Sequence, residues 1–226
     1  FFSPHKNSSM GVFLGKPVMI ETPLATATKV CKDYEMRTYA PALAATTVCS
    51  GDMMQGSEGF RQLARYIGAF GTPANRKEAA QTTEGEKIAM TAPVVTAQQG
   101  GGGAEKIAMT APVTTSQEGL SYKMAFILPS KYKSIEELPK PTDERVSLER
   151  LPSRVLAVRR FGGYARKDDV AKQTKILLDA LARDDVTVCD GGQVELARYN
   201  DPFTPWFLRT NEVWTQVQNQ QEDDTH

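Results

Sequence analysis

Histidine is nearly missing from this chain of 226 residues, and the two present, His5 and His226, stand at its ends. A metal site or a catalytic triad needs its ligands or base held rigidly inside a fold. Chain ends are usually loose. Zinc, diiron or hydrolase chemistry built on histidine is therefore disfavoured. Cysteine is also scarce: Cys31, Cys49 and Cys189 are odd in number, far apart and form no C-x-x-C. That pattern indicates a reducing compartment with buried or free thiols, not a disulfide framework. Charge of one sign is lacking too, with 27 Lys and Arg against 27 Asp and Glu. A general nucleic-acid binder needs excess positive charge to displace counterions, and a polybasic membrane-surface protein needs the same, so both are argued against. The longest apolar runs, such as Ala125 to Leu128, are far too short to insert across a bilayer.

What is present is enough apolar residue, 40%, to build a core. The length fits one large domain or two small ones. Phe60, Leu63, Ala64 and Ile67 recur at i, i+3, i+4 and i+7, which predicts a helix within Ser57–Gly71. Val170, Leu177, Leu178 and Leu181 predict a second helix over Lys167–Arg183. Tyr122, Met124, Phe126 and Leu128 alternate along one expected strand, and residues 154–161 and 194–199 are rich in strand formers. The order is strands, helix, strands, then the same again. This predicts an α+β domain of two similar halves, not an alternating parallel sheet.

One string occurs twice. Glu86-Lys87-Ile88-Ala89-Met90-Thr91-Ala92-Pro93-Val94 returns without change as residues 105–113. The Gly run at 100–103 between the copies predicts two similar strands joined by a long flexible loop.

The repeated KIAMTAPV resembles the SOUL or haem-binding-protein family. Four further stretches resemble that family in the same order: YEMRTYAPA at 34–42, FILP at 126–129, VRRFGG at 158–163 and YNDPFTPWFLRTNEV at 199–213. The resemblance covers residues 28–217. It implies a distorted antiparallel β-barrel built from two similar halves and flanked by two main α-helices. It leaves residues 1–27 as an N-terminal arm, with the first nine resembling leftover sequence before Met10, and 218–226 as a frayed tail. Three lysines and one acid within residues 1–29 are also the charge balance of a transit peptide. A cytoplasmic location is expected, with a plastid as the alternative.

The resemblance also implies reversible, non-covalent binding of haem b, protoporphyrin IX or a related tetrapyrrole, as a haem buffer or carrier and not as an enzyme. Such a ligand is a flat apolar disc with two carboxylates on one edge, so its site needs an apolar groove and cationic donors. In the family the groove lies at the first helix and the loop before the last strand. Carried onto this chain, that gives Phe60, Arg61, Leu63, Ala64, Arg65 and Ile67 with Phe203, Trp206 and Phe207. The apolar stripe is equally the pattern of a core-facing helix, and Arg61 and Arg65 also fit a solvated face. Some members carry a basic residue where this chain has Thr204. With no internal histidine, Met53 and Met54 are the candidate weak axial ligands, while Met90, Met109 and Met124 read as core filling. Asn211 and Glu212 are expected to hold structure by hydrogen bonds. An enzyme acting on a bound tetrapyrrole, and a ligand-sensing or protein-interaction module, are the competing readings. The enzyme needs a positioned acid, base or nucleophile, and no convincing set stands out.

Overall fold

The computed structural model describes residues 8–13, 16–22, 25–55, 57–76, 85–99, 121–189, 193–200 and 204–218. The strands are β1 (Ser8–Phe13), β2 (Lys16–Glu21), β3 (Ala25–Val30), β4 (Glu35–Tyr39), β5 (Ala42–Ser50), β6 (Asn75–Arg76), β7 (Val94–Gln99), β8 (Ser121–Ile127), β9 (Lys140–Pro141), β10 (Val146–Leu151), β11 (Arg154–Gly162), β12 (Val194–Arg198) and β13 (Thr210–Gln216). The helices are α1 (Ser57–Ile67) and α2 (Lys167–Arg183). Nine strands form one sheet in the order β10-β5-β8-β7-β12-β13-β11-β4-β3, every neighbouring pair antiparallel. The expected α+β class with a large antiparallel sheet and two main helices is what the chain adopts. The pairings run from β10 to β3 without a ladder between those two strands among the described residues.

Alternation along the strands gives the sheet two apolar faces. On β11, Ala157 joins the core under α2, while its neighbours Leu156 and Val158 point the other way. On β13, Val213 packs with Leu177 and Leu181 of α2, and Trp214 turns to the opposite face beside Tyr39. A separate core under α1 gathers Leu63, Ala64, Tyr66 and Ile67 against Ala45 of β5 and Met124 and Phe126 of β8. Full burial of one such Leu contributes about 1.5–3 kcal/mol.

Two glycines set the position of α1. A Cβ on Gly59 would lie 3.2 Å from Thr47 Cγ2 and 3.4 Å from Tyr122 Cε2, so its absence lets the helix settle close on β5 and β8. Gly68 takes φ +74°, a left-handed conformation that ends the helix at the first of the two glycines, Gly68 and Gly71, that close the expected span. The buried Asn75 then covers the helix end. Its Nδ2 donates to Tyr66 O at 2.6 Å and to Glu86 O at 2.9 Å, and its Oδ1 accepts from Glu86 N at 2.8 Å.

That anchoring corrects one expectation. The first KIAMTAPV copy is not a ladder strand; regular pairing starts only at Val94. Residues 86–92 are tied down one at a time instead, by Asn75, by Ile88 N donating to Ile67 O at 3.0 Å, by Thr91 Oγ1 donating to Ile127 O, and by Ala92 N donating to Glu21 O at 3.0 Å. The second copy, with Met109, lies outside the described residues. Met124 is core, and Met90 packs against it partly buried. Within the expected N-terminal arm, β1 pairs with β2, and Ala25 already lies in register with Tyr39.

Candidate functional site

The helix α1 divides the residues the sequence nominated. Leu63, Ala64 and Ile67 are 0%, 0% and 2% exposed, facing inward. Phe60 is half-buried at the rim, its ring 5.4 Å from that of Phe126 and 6.3 Å from that of Phe70. Arg61 and Arg65 are exposed. The stripe thus serves mainly as the core-facing side of the helix, and Phe60, Arg61 and Arg65 make its outward edge.

The second half of the nominated site lies on a short 3-10 turn, Trp206–Leu208, that follows Pro205 and contacts β11. Trp206, Phe207 and Leu208 are 58%, 67% and 60% exposed, with the two rings edge to face at 5.9 Å. Three consecutive large apolar side chains held outward form a patch of the sort that marks a binding surface. Thr204 is buried, and its carbonyl accepts from Arg209 Nε at 2.7 Å. Phe203 lies outside the described residues.

Just ahead of α1 in the chain stands the 3-10 turn Met53–Gln55. Met53 packs against both helix-covered cores, and Met54 against the one under α2. The backbone N–H of Met53 donates to Gln98 Oε1 at 3.0 Å. Met54 Sδ lies 3.9 Å from Arg198 Nη2, which donates to it. The two methionines therefore stand at the seam of the two halves.

Beside that seam is a cleft of about 290 Å³ lined by Tyr164, Ala165, Arg166, Arg198, Asn200, Arg209 and Asn211. The guanidinium carbons of Arg166 and Arg209 stand 5.4 and 4.8 Å from the Tyr164 ring centroid. Asn211 Nδ2 donates to Gly163 O at 2.9 Å, and Asn200 Oδ1 accepts from Thr210 N at 2.6 Å. Burial pushes the Arg198 guanidinium below its ordinary pKa. Sequence reasoning missed Arg166 and Arg198. Arg209 stood inside the YNDPFTPWFLRTNEV stretch, but only its place in the fold connects it to the others.

Glu212 holds structure, as its motif suggested. It is buried, pairs with Arg37 Nη1 at 3.0 Å, and accepts from Tyr199 Oη at 2.6 Å and Trp214 Nε1 at 2.8 Å. Burial and the adjoining Glu212 carboxylate push the Tyr199 phenol well above its usual value. Among the described residues no three His, Cys, Asp or Glu side chains gather in a metal-holding group.

Heme-binding protein 1 of Sus scrofa is 33% identical over 97 residues, 41% of this chain. The match spans 46% of that relative's length. An uncharacterized conserved protein from Listeria innocua shares the fold at a TM-score of 0.55 and 12% identity, over 83% of this chain and 93% of that one. The C-terminal domain of EcmrR does so at 0.51 and 9%, over 86% and 98%. At such identities the likeness concerns the fold alone. The SOUL heme-binding protein family profile matches residues 20–216, which takes in both helices and the whole nine-stranded sheet. The chain belongs to the SOUL heme-binding protein family.

Proposed function

We propose that this protein binds haem b or metal-free protoporphyrin IX reversibly and without a covalent link, as a buffer or carrier and not as a catalyst. The observation that carries the reading is the family match over residues 20–216. The name of the Sus scrofa relative, Heme-binding protein 1, agrees with it.

The donor set suits such a ligand. The outward Trp206 and Phe207 offer aromatic surface for a flat ring, with Phe203 three residues earlier in sequence. Phe60 supplies an apolar rim, and Arg61 and Arg65 supply cationic donors one helical turn apart for the propionates. Leu63, Ala64 and Ile67 act from behind by seating α1 on the sheet. The groove in this reading runs from the outer edge of α1 across the Met53–Met54 seam to the Trp206 turn. Met54 Sδ already accepts from Arg198, which supports weak ligation of the iron by the protein or none.

The finer architecture belongs to the same reading. The face of the sheet away from the helices buries Leu156, Val158, Ala197 and Trp214. A sheet curled upon itself into a two-halved barrel would cover that face. No helix among the described residues is long and apolar enough to cross a membrane, and we place the carrier in the cytoplasm, with the plastid as alternative.

An absorption titration with haem tests the function. A saturable Soret change that is lost or weakened in the Trp206→Ala/Phe207→Ala variant is expected. A wild-type chain that gives no saturable change would refute the reading.

A further inference from the structure

We propose that the cleft lined by Arg166, Arg198 and Arg209 is an oxyanion site that receives a carboxylate or phosphate group. Three guanidinium groups come from three separate stretches: the residue before α2, the end of β12 and the segment entering β13. Three like charges gathered in one cleft repel, and an anion seated among them relieves that repulsion. Arg198 is the most telling member. It is half-buried, no carboxylate pairs with its guanidinium among the described residues, and the side-chain partner it has there is the weakly accepting thioether of Met54 at 3.9 Å.

Elsewhere on this chain, partly buried arginines have found an acid. Arg37 pairs with Glu212 at 3.0 Å, Arg154 with Glu195 at 2.6 Å, and Arg159 reaches Asp33 at 3.9 Å. Acids do stand on neighbouring elements. Asp168 and Asp169 lie in the first turn of α2, and Asp52 pairs with Lys167 at 3.7 Å, but none of these lines the cleft. A guanidinium stays charged even when burial disfavours it, and its planar fork suits the paired oxygens of carboxylate and phosphate. Among the described residues, the amide side chains of Asn200 and Asn211 add polar lining without negative charge.

Size limits what enters. At about 290 Å³ the cleft sits at the lower end of the roughly 300–1,000 Å³ found for small-molecule sites. It accepts an anionic group and not a whole tetrapyrrole disc. Two sources share that chemistry: a small free oxyanion, or the propionate of a ring lying on the adjacent Trp206 turn. The second source rests on the proposed function; the first does not.

The test uses the full chain, its Arg198→Gln variant and its Arg166→Gln variant. The second changes an exposed residue, so it remains informative if the first fails to fold. Inorganic phosphate is titrated by calorimetry, and protoporphyrin IX and its dimethyl ester by fluorescence. If ring carboxylates are the source, the free acid binds about tenfold or more tightly than the ester, the order expected of charge-assisted hydrogen bonds, and the variants reduce that preference, leaving the share that Arg61 and Arg65 contribute. If a free oxyanion is the source, phosphate binds the wild type and not the variants, whether or not any ring binds. The proposal is overturned if phosphate fails to bind and the acid-over-ester preference is absent or survives undiminished in both variants. A ring that binds with its preference unaltered would sink the cleft and leave the proposed function standing. Phosphate captured by a chain that binds no ring would do the reverse.

Discussion

Arg198 at the end of β12 donates to Met54 Sδ ahead of α1 across 3.9 Å, joining the two halves of the chain at their seam. A thioether facing a cationic donor is a poor candidate for an iron bond, because the same lone pairs serve both. The Met53→Leu/Met54→Leu variant, loaded with haem, should therefore keep its Soret maximum at the wild-type wavelength. A displaced maximum would identify one of the two as a ligand.

Charge on the outer edge of α1 should matter to affinity. Arg65→Glu replaces a cationic donor by a repelling carboxylate and is expected to weaken haem binding about tenfold, the order of one charge-assisted contact. Circular dichroism would confirm the fold, since Arg65 is exposed. Unchanged affinity in a Soret titration would remove Arg65 from the site.

Asn75 provides three hydrogen bonds at the buried end of α1. Asn75→Ala leaves carbonyls and an N–H without partners, and should lower unfolding free energy by about 2–3 kcal/mol. Denaturant unfolding measures this directly. A loss well below about 1 kcal/mol would mean that water replaces the amide there.

Much of this arrangement can be read from the sequence, and the failures have identifiable causes. The second helix follows from the spacing of Val170, Leu177 and Leu181, and the structure gives Lys167–Arg183 as predicted. Local pattern suffices there because a two-sided helix reports its own buried face. The first helix lies within its expected span Ser57–Gly71, and the pattern leaves its end open between Gly68 and Gly71; the left-handed backbone of Gly68, with Pro73 against it, makes the earlier stop the real one. The KIAMTAPV strand failed because its anchors are the Asn75 side chain and single carbonyls of Ile67, Ile127 and Glu21, which leave no periodic mark. Leu63 and Ile67 could have faced a ligand or a core, and periodicity alone cannot distinguish two apolar destinations. The arginine cleft was invisible because its members are convergent in space and scattered in sequence.

Acid should expose a second electrostatic contact. At Glu149, burial pushes the carboxyl up, but hydrogen bonds from Lys123 Nζ at 2.6 Å and Thr46 Oγ1 at 2.8 Å outweigh it and hold the group below the usual value. A depressed folded pKa contributes stability that is present above the unfolded value, about 4.3, and lost as pH falls through the folded one. The stability gap between wild type and Glu149→Gln, followed by urea unfolding, should therefore close as the medium is acidified below that value. A gap independent of pH would show that the pair contributes nothing through ionisation.

The central claim is that this chain holds a tetrapyrrole through its apolar face and its carboxylates, with little help from iron. Parallel titrations with haem and with metal-free protoporphyrin IX measure this most directly. The account predicts that both bind, with dissociation constants within about tenfold of one another, a difference of at most about 1.4 kcal/mol. Binding of neither would contradict it outright, and haem bound far more tightly than the metal-free ring would show that a strong protein ligand holds the iron.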